Sequence, residues 1–276
     1  MKFADLHLHT SFSDGTYTPS ELVLKSLKAG LDAVAVTDHD TVEGLEETIK
    51  LGKDNGLEVL PAIELSSERQ GCEIHILGYL LDFRDKDLLD KLNFLKKNRV
   101  ERAYNIIDKL GGLGLKLNPE TVFDLSKGGT VGRLHIARAM LKDKLIKSLS
   151  EAFQKYIGDS SPAYVAGFKF SPQEAIALIR KSGGIPVLAH PYTIKDDDLL
   201  NELISYGIMG LEAYYPEHSQ AQVNFYLNLA QEKSLLVTGG SDCHGKAKPE
   251  VRIGSIKIPY SLVDKLKARK LELNEK

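Results

Sequence analysis

At 276 residues the chain is long enough for one large core, or for a core that carries an inserted subdomain. A formal net charge of −2 lacks the positive surplus that coating long duplex nucleic acid requires, but it leaves room for a small phosphorylated ligand met by a few local cations. The composition is that of an ordinary globular protein, no run is long enough to span a bilayer, and Met1-Lys2-Phe3-Ala4-Asp5 does not open an export signal, so a cytoplasmic protein without membrane contact is expected.

In chain order, Lys2–Leu8 reads as a strand. Thr18-Pro19-Ser20-Glu21 then starts a helix with an N-cap hydroxyl, a proline at the first helical position and a glutamate three residues on. That helix stops at Ala29-Gly30, and Asp32–Thr37, Leu57–Leu65 and Glu73–Tyr79 follow as strands. Leu88, Leu92, Leu95, Ala103, Ile106 and Leu110 recur at mostly three- and four-residue steps, which predicts a long helix ending at Gly111-Gly112. Helical pieces around 134–141 and 149–156 come next without a strand between them. Ser171-Pro172-Gln173-Glu174 repeats the N-terminal signal, and its helix ends at Ser182-Gly183-Gly184. The strands Ile185–Ala189, Ile208–Tyr214 and Leu235–Thr238 follow, with Ile253–Ile258 as a further edge strand and a charged, solvated tail from Lys265 to Lys276. The alternation predicts an α/β barrel formed by residues 1–98 and 168–276, interrupted by a helical insertion at 99–167.

The histidines carry the functional signal. His7 and His9 lie two apart on a strand and so share a face. His39, His190 and His244 follow strand ends, His75 lies on a strand, and Glu64 ends one. In a barrel of parallel strands the C-terminal ends converge on one rim, which brings these groups together. Imidazoles with the carboxylates of Asp14, Glu64 and Asp242 suit zinc, manganese or iron, and the lack of thiolates argues against a structural zinc site. Cys72 and Cys243 are the only cysteines, and no disulfide between them is expected. Cys243 is read as a small side chain filling a strand-end turn.

At Asp5-Leu6-His7-Leu8-His9, Thr37-Asp38-His39-Asp40-Thr41, Ala189-His190-Pro191 and Gly240-Ser241-Asp242-Cys243-His244 the sequence resembles the PHP (polymerase and histidinol phosphatase) family. The resemblance implies a distorted (β/α)7 barrel with two or three divalent metal ions. It assigns one ion to His7, His9, Glu64 and Asp242, a second to Glu64, His75 and His190, and a third to Asp14, His39 and His244. Asp14 stands where many members carry histidine, and its oxygen favours manganese. Asp5 and Asp38 are read as carboxylates that orient the ligands, or as strand-end and turn hydrogen-bond acceptors.

Gly132-Arg133-Leu134-His135-Ile136-Ala137-Arg138 and Ala163-Tyr164-Val165 resemble the nucleotide-phosphatase branch of that family. This implies removal of the 3′-phosphate from nucleoside 3′,5′-bisphosphates and trimming of short 5′-phosphorylated oligoribonucleotides, by attack of a metal-bound hydroxide on phosphorus. Arg133 is the expected contact to a second phosphate, with His135 and His218 as further substrate contacts. The alternatives are a histidinol-phosphate or other small-molecule phosphatase, and a non-catalytic metal-binding accessory module of a nucleic-acid enzyme.

Overall fold

The computed structural model describes residues 1–126, 129–194 and 197–275. Its elements run β1 (Phe3–Leu8), α1 (Pro19–Lys28), β2 (Ala33–Val36), α2 (Leu45–Asn55), β3 (Glu58–Arg69), β4 (Cys72–Tyr79) and α3 (Lys86–Gly112). They continue with α4 (Pro119–Ser126), α5 (Arg133–Lys142), α6 (Leu149–Ala152), α7 (Pro172–Lys181), β5 (Ile185–Leu188) and α8 (Asp197–Ser205). The last are β6 (Gly210–Tyr214), α9 (Gln220–Glu232), β7 (Leu236–Gly239), β8 (Ile258–Pro259) and α10 (Ser261–Asn274). The two helix starts marked by Thr-Pro and Ser-Pro are present as full capping boxes. Thr18 and Ser171 side chains accept from Glu21 and Glu174 N–H, while each glutamate accepts from its cap residue's N–H at 2.9 and 2.8 Å.

The strands form one sheet in the order β7-β6-β5-β4-β3-β2-β1-β8. The pairs β1/β2, β2/β3, β5/β6 and β6/β7 are parallel, but β4 runs antiparallel to both β3 and β5. This corrects the all-parallel barrel assumed from the sequence. Only Gln70 and Gly71 separate β3 from β4, and a two-residue connection can build a hairpin but not a crossover. Both turn residues have positive φ, 52° and 80°, the twist that favours such hairpins. His75 therefore reaches the rim from the first half of β4 rather than from a C-terminal strand end. The edge strand expected over Ile253–Ile258 is only the short β8, antiparallel to the start of β1.

Alternate residues of the strands, including Ala4, Leu6, Ala35, Ala62, Leu77, Tyr79 and Val187, fill the barrel interior, and Val263 and Leu266 of α10 join that cluster. The opposite faces, with Val34, Val36, Ile63, Ile76, Leu188 and Leu211, pack with helix residues such as Leu22, Ile176 and Leu203. The β1/β2 register shifts between Asp5 and Leu8. Below the shift Ala4 and Leu6 face inward; above it Leu8 joins the outer cluster, and His7 and His9 take the inner face. Residues from Ala103 to Ala163 build a separate apolar cluster. The helix α3 joins it to the barrel and runs unbroken through residue 99, with Leu88, Leu92 and Leu95 in the barrel's outer layer and Ala103, Ile106 and Leu110 in the second cluster.

Closure of the barrel falls on the segment after β7. The Asp242 N–H donates to the His7 carbonyl at 2.8 Å, and the His9 N–H donates to the Cys243 carbonyl at 3.2 Å. Gly240 lies against β1 so closely that a Cβ there would overlap the backbone nitrogen and Cβ of His7. Gly240→Ala is therefore expected to cost about 1–3 kcal/mol in urea unfolding, through overpacking at this seam. An unchanged unfolding midpoint would show that the seam has slack.

Candidate metal centre

The buried carboxylate of Glu64 stands at the middle of the rim. Its Oε1 is 2.8 Å from His75 Nδ1 and 3.2 Å from His190 Nε2. Its Oε2 is 3.1 Å from His7 Nε2, 3.2 Å from His9 Nε2 and 3.4 Å from His39 Nδ1. Asp242 Oδ1 approaches His9 Nε2 at 3.0 Å and His7 Nε2 at 3.4 Å, while Asp14 Oδ1 is 3.2 Å from His244 Nε2. The nine residues expected to hold metal thus converge on one cluster.

Hydrogen bonds to the loops hold this cluster in shape. Asp5 accepts from the Ser241 N–H and hydroxyl at 2.8 and 2.7 Å and from the Gly254 N–H at 2.8 Å. Asp38 accepts from the Thr10 N–H and hydroxyl at 2.7 and 2.6 Å and from the Ser13 hydroxyl at 2.5 Å. Both carboxylates therefore serve as strand-end and turn acceptors, fixing the loops that carry Asp242 and Asp14. The carboxylates that reach the second nitrogens of imidazoles are others. Glu212 lies 2.9 Å from His7 Nδ1 and accepts from the His190 N–H at 2.8 Å; Glu73 lies 3.3 Å from His75 Nε2. Asp40, His190 and Asp242 have φ of 51°, 29° and 53°, a region that non-glycine residues seldom adopt and that clusters at functional sites.

The arrangement fits metal ions on its own chemistry. Both ring nitrogens of His9, the Nδ1 atoms of His39, His75 and His190, and Asp14 Oδ1 are buried without an aligned hydrogen-bond partner, although carboxylate oxygens lie close to several of them. Buried polar atoms of this kind normally have partners. Among the described residues three sets of donors lie near enough to share an ion: His7, His9, Glu64 and Asp242; His39, Glu64 and His75; and His9, Asp14, His39 and His244. His190 faces the second set through Glu64. Burial raises the pKa of Glu64, but His39, His7 and His75 outweigh it and hold the group well below the usual carboxylate range. Burial lowers His75, yet Glu64 and Glu73 push it up to about 10; His9 rises to about 9 against burial through Asp242 and Glu64. The site demands positive charge, and nitrogen with oxygen donors suits borderline divalent cations.

Two cavities open on this cluster, and His39 and His75 line both. One, about 190 Å³, is bounded by Asp14, Glu73, Arg99 and Arg133; beyond it a smaller one of about 70 Å³ adds Arg102 and Lys169. The other, about 210 Å³, is bounded by His190, Tyr192, Tyr215, Glu217 and Lys248. Arg133 stands on the first wall, paired with Asp159 at 2.5 Å and 3.7 Å from Glu73. His218 stands behind the second, its Nδ1 bonded to the Ala213 carbonyl at 2.9 Å and its ring edge-on to Tyr192. His135 faces neither: it is buried, its Nδ1 accepts from the Gly132 N–H at 3.1 Å, and it also hydrogen-bonds the backbone of Ser13. It ties the start of α5 to the loop of Asp14.

The model of the PHP domain matches residues 5–234. The chain belongs to the PHP family. A 5′-3′ exoribonuclease from Haemophilus influenzae is 31% identical over 87% of the chain and 89% of its own length. A phosphoribosyl 1,2-cyclic phosphate 1,2-diphosphodiesterase from Eggerthella lenta is 29% identical, covering 88% and 94%. A 3′,5′-nucleoside bisphosphate phosphatase from Chromobacterium violaceum is 28% identical, covering 87% and 86%. A candidate metal-dependent phosphoesterase from Bifidobacterium adolescentis superposes with a TM-score of 0.89 at 30% identity, covering 96% of both chains.

This PHP chain is accordingly a metal-dependent phosphoesterase. No helix among the described residues is long and apolar enough to cross a membrane, and both cysteines are free. Cys243 is buried, its thiol against the Val251 carbonyl at 3.3 Å. Sequence reasoning missed Glu212, Glu73, Arg99, Arg102, Tyr215 and Lys248. Glu212 left a signal, a carboxylate within the buried run Gly210-Leu211-Glu212-Ala213. Glu73 shares a strand face with His75. Arg99 and Arg102 lie on a charged helix and look like any solvated face.

His135 gives this PHP fold a pH dependence of its own. Burial lowers its pKa from 6.5 to about 4, so between those values the unfolded chain binds a proton that the folded chain refuses. Its contribution is present above pH 6.5 and is lost as pH falls through about 4, roughly 3 kcal/mol in all. His135→Asn keeps an acceptor for the Gly132 N–H but does not titrate. Urea unfolding between pH 7 and 4 is expected to show the wild type losing about 3 kcal/mol more than this variant. Parallel losses would assign the acid sensitivity to other groups.

Proposed function

We propose that this phosphoesterase removes the 3′-phosphate of nucleoside 3′,5′-bisphosphates and trims short 5′-phosphorylated oligoribonucleotides at the same centre. The observation that carries the reading is the basic cavity beside the cluster. Arg99, Arg102, Arg133 and Lys169 gather around a space suited to a single oxyanion. Arg99 is paired with Asp40, Lys169 with Glu68 and Glu73, and Arg133 with Asp159, but Arg102 Nη2 is buried with no hydrogen-bond partner. A guanidinium with an unspent N–H is a strong phosphate donor. A second phosphate on the substrate meets that need, and a histidinol phosphate does not. The helical segment 99–167 then acts as the specificity element of a barrel formed by 1–98 and 168–276.

Within the centre, His7, His9, Glu64 and Asp242 would hold one divalent ion, Glu64, His75 and His190 a second, and Asp14, His39 and His244 a third, with manganese favoured by the oxygen donors. Such ions, when bound, neutralise phosphate charge and lower the pKa of water from about 15.7 toward about 7. The chain's own residues set the geometry. Glu212 orients His7, Glu73 orients His75, and Tyr215 and Lys248 pin Asp242 Oδ2 at 2.9 and 3.0 Å so that Oδ1 faces the histidines. The names of the Haemophilus and Chromobacterium relatives support both substrate classes. The complete donor set supports an enzyme over an accessory module.

The test is phosphate release by manganese-loaded protein from adenosine 3′,5′-bisphosphate, adenosine 3′-monophosphate and histidinol phosphate. The bisphosphate is expected to be preferred. Arg133→Ala is expected to lower its kcat/KM roughly 10–100-fold and that of the monophosphate far less, the loss of one charge-assisted contact. Equal losses would remove Arg133 from specificity, and a preference for histidinol phosphate would overturn the substrate.

A further inference from the structure

The second cavity differs from the first in kind: it is aromatic where the other is basic, and it opens on the same two imidazoles, His39 and His75. We infer that this aromatic lobe is the subsite for the nucleotide downstream of the scissile phosphate, with its base stacked on Tyr192. The inference rests on the proposed function and extends it to the chain-trimming substrate.

The placement follows from the chemistry of the cut. Hydrolysis at the 3′ side breaks the bond between phosphorus and the 3′-oxygen, forms a new bond from phosphorus to a water oxygen, and leaves a proton on the departing 3′-oxygen. The phosphate stays on the following nucleotide as its new 5′-phosphate. With the first nucleotide's 5′-phosphate in the basic cavity and the scissile phosphate at His39 and His75, the following nucleotide extends into the aromatic cavity, which opens on the same two imidazoles. Its walls meet the needs of a single strand, which are a flat aromatic face for the base and a cation for the backbone.

Tyr192 is the face. Its ring stacks on Tyr215 with centroids 5.7 Å apart and planes at 30°, His218 meets it edge-on at 5.4 Å, and its hydroxyl is bonded to Glu217. The ring is only half-buried and is held on several sides, so it is ordered before a base arrives. Lys248 supplies the cation, its Nζ beside Asp242 at the cavity wall. His218 then acts as a positioning residue behind Tyr192. A stacking face reads no hydrogen-bonding edge, so trimming at this subsite is tolerant of base identity.

The experiment compares kcat/KM for a 5′-phosphorylated ribonucleotide trimer and for adenosine 3′,5′-bisphosphate in wild type, Tyr192→Ala and Tyr192→Phe. The alanine variant is expected to lower the trimer-to-bisphosphate ratio roughly tenfold or more, the scale of one base–aromatic stack. The phenylalanine variant, which keeps the ring, should stay within about twofold of wild type. A ratio unchanged in Tyr192→Ala, or equal losses on both substrates through the packing of Tyr215 on Asp242, overturns the inference. A trimer turned over with its ratio unchanged in Tyr192→Ala overturns this inference alone; wild-type turnover of the bisphosphate but not the trimer also overturns the trimming half of the proposed function, and turnover of neither overturns that function whole.

Discussion

One buried carboxylate sets the terms for the rest of the molecule. Glu64 offers two oxygens to five imidazoles that arrive from β1, β4 and the segments following β2 and β5. An anion so placed is stable only where positive charge surrounds it, and the same is true of Asp14 and Asp242 nearby. The fold is arranged to meet that demand. The register shift in β1 turns His7 and His9 inward, the β3–β4 hairpin brings His75 back past Glu64, and the closure at Asp242 and Cys243 completes the ring. The seam that closes the barrel is also the segment that carries two of the candidate ligands, so stability of the fold and integrity of the site are coupled.

Most of the candidate centre was legible because strand-end histidines have few reasons to recur. Two-residue spacing fixed a common face for His7 and His9, and breaks after apolar runs located His39, His190 and His244. The direction of β4 has a sequence signal in Gln70-Gly71, a two-residue link between two β-rich runs that fits a tight hairpin. Glu212 was legible in principle, as a charge inside a buried strand, but a lone carboxylate does not announce its partner. Arg102 was not legible: its unspent N–H depends on which neighbours are already paired, and that is a property of the fold. Proximity in sequence groups His135 with Arg133. Two positions along a helix are about 200° apart, so the two side chains leave α5 on opposite sides, one to the cavity and one to the loop of Asp14.

The site is organised as a centre between two unlike cavities. Guanidinium groups on the side of the helical segment favour an anion, while stacked rings on the side of β5 and β6 favour a base. On the proposed reading, a substrate with a phosphate on each side of a ribose would use the first cavity, and a longer strand would use both.

The most direct test of the role given to Glu64 is the metal content of the purified chain after manganese loading, measured by plasma mass spectrometry for wild type and Glu64→Gln. Among the described residues Glu64 belongs to two of the three donor sets, and His9, Asp14, His39 and His244 form the one without it. The account predicts about two or three manganese ions per wild-type chain and no more than about one in the variant, with the circular dichroism spectrum retained. Equal metal content in the two proteins would contradict it.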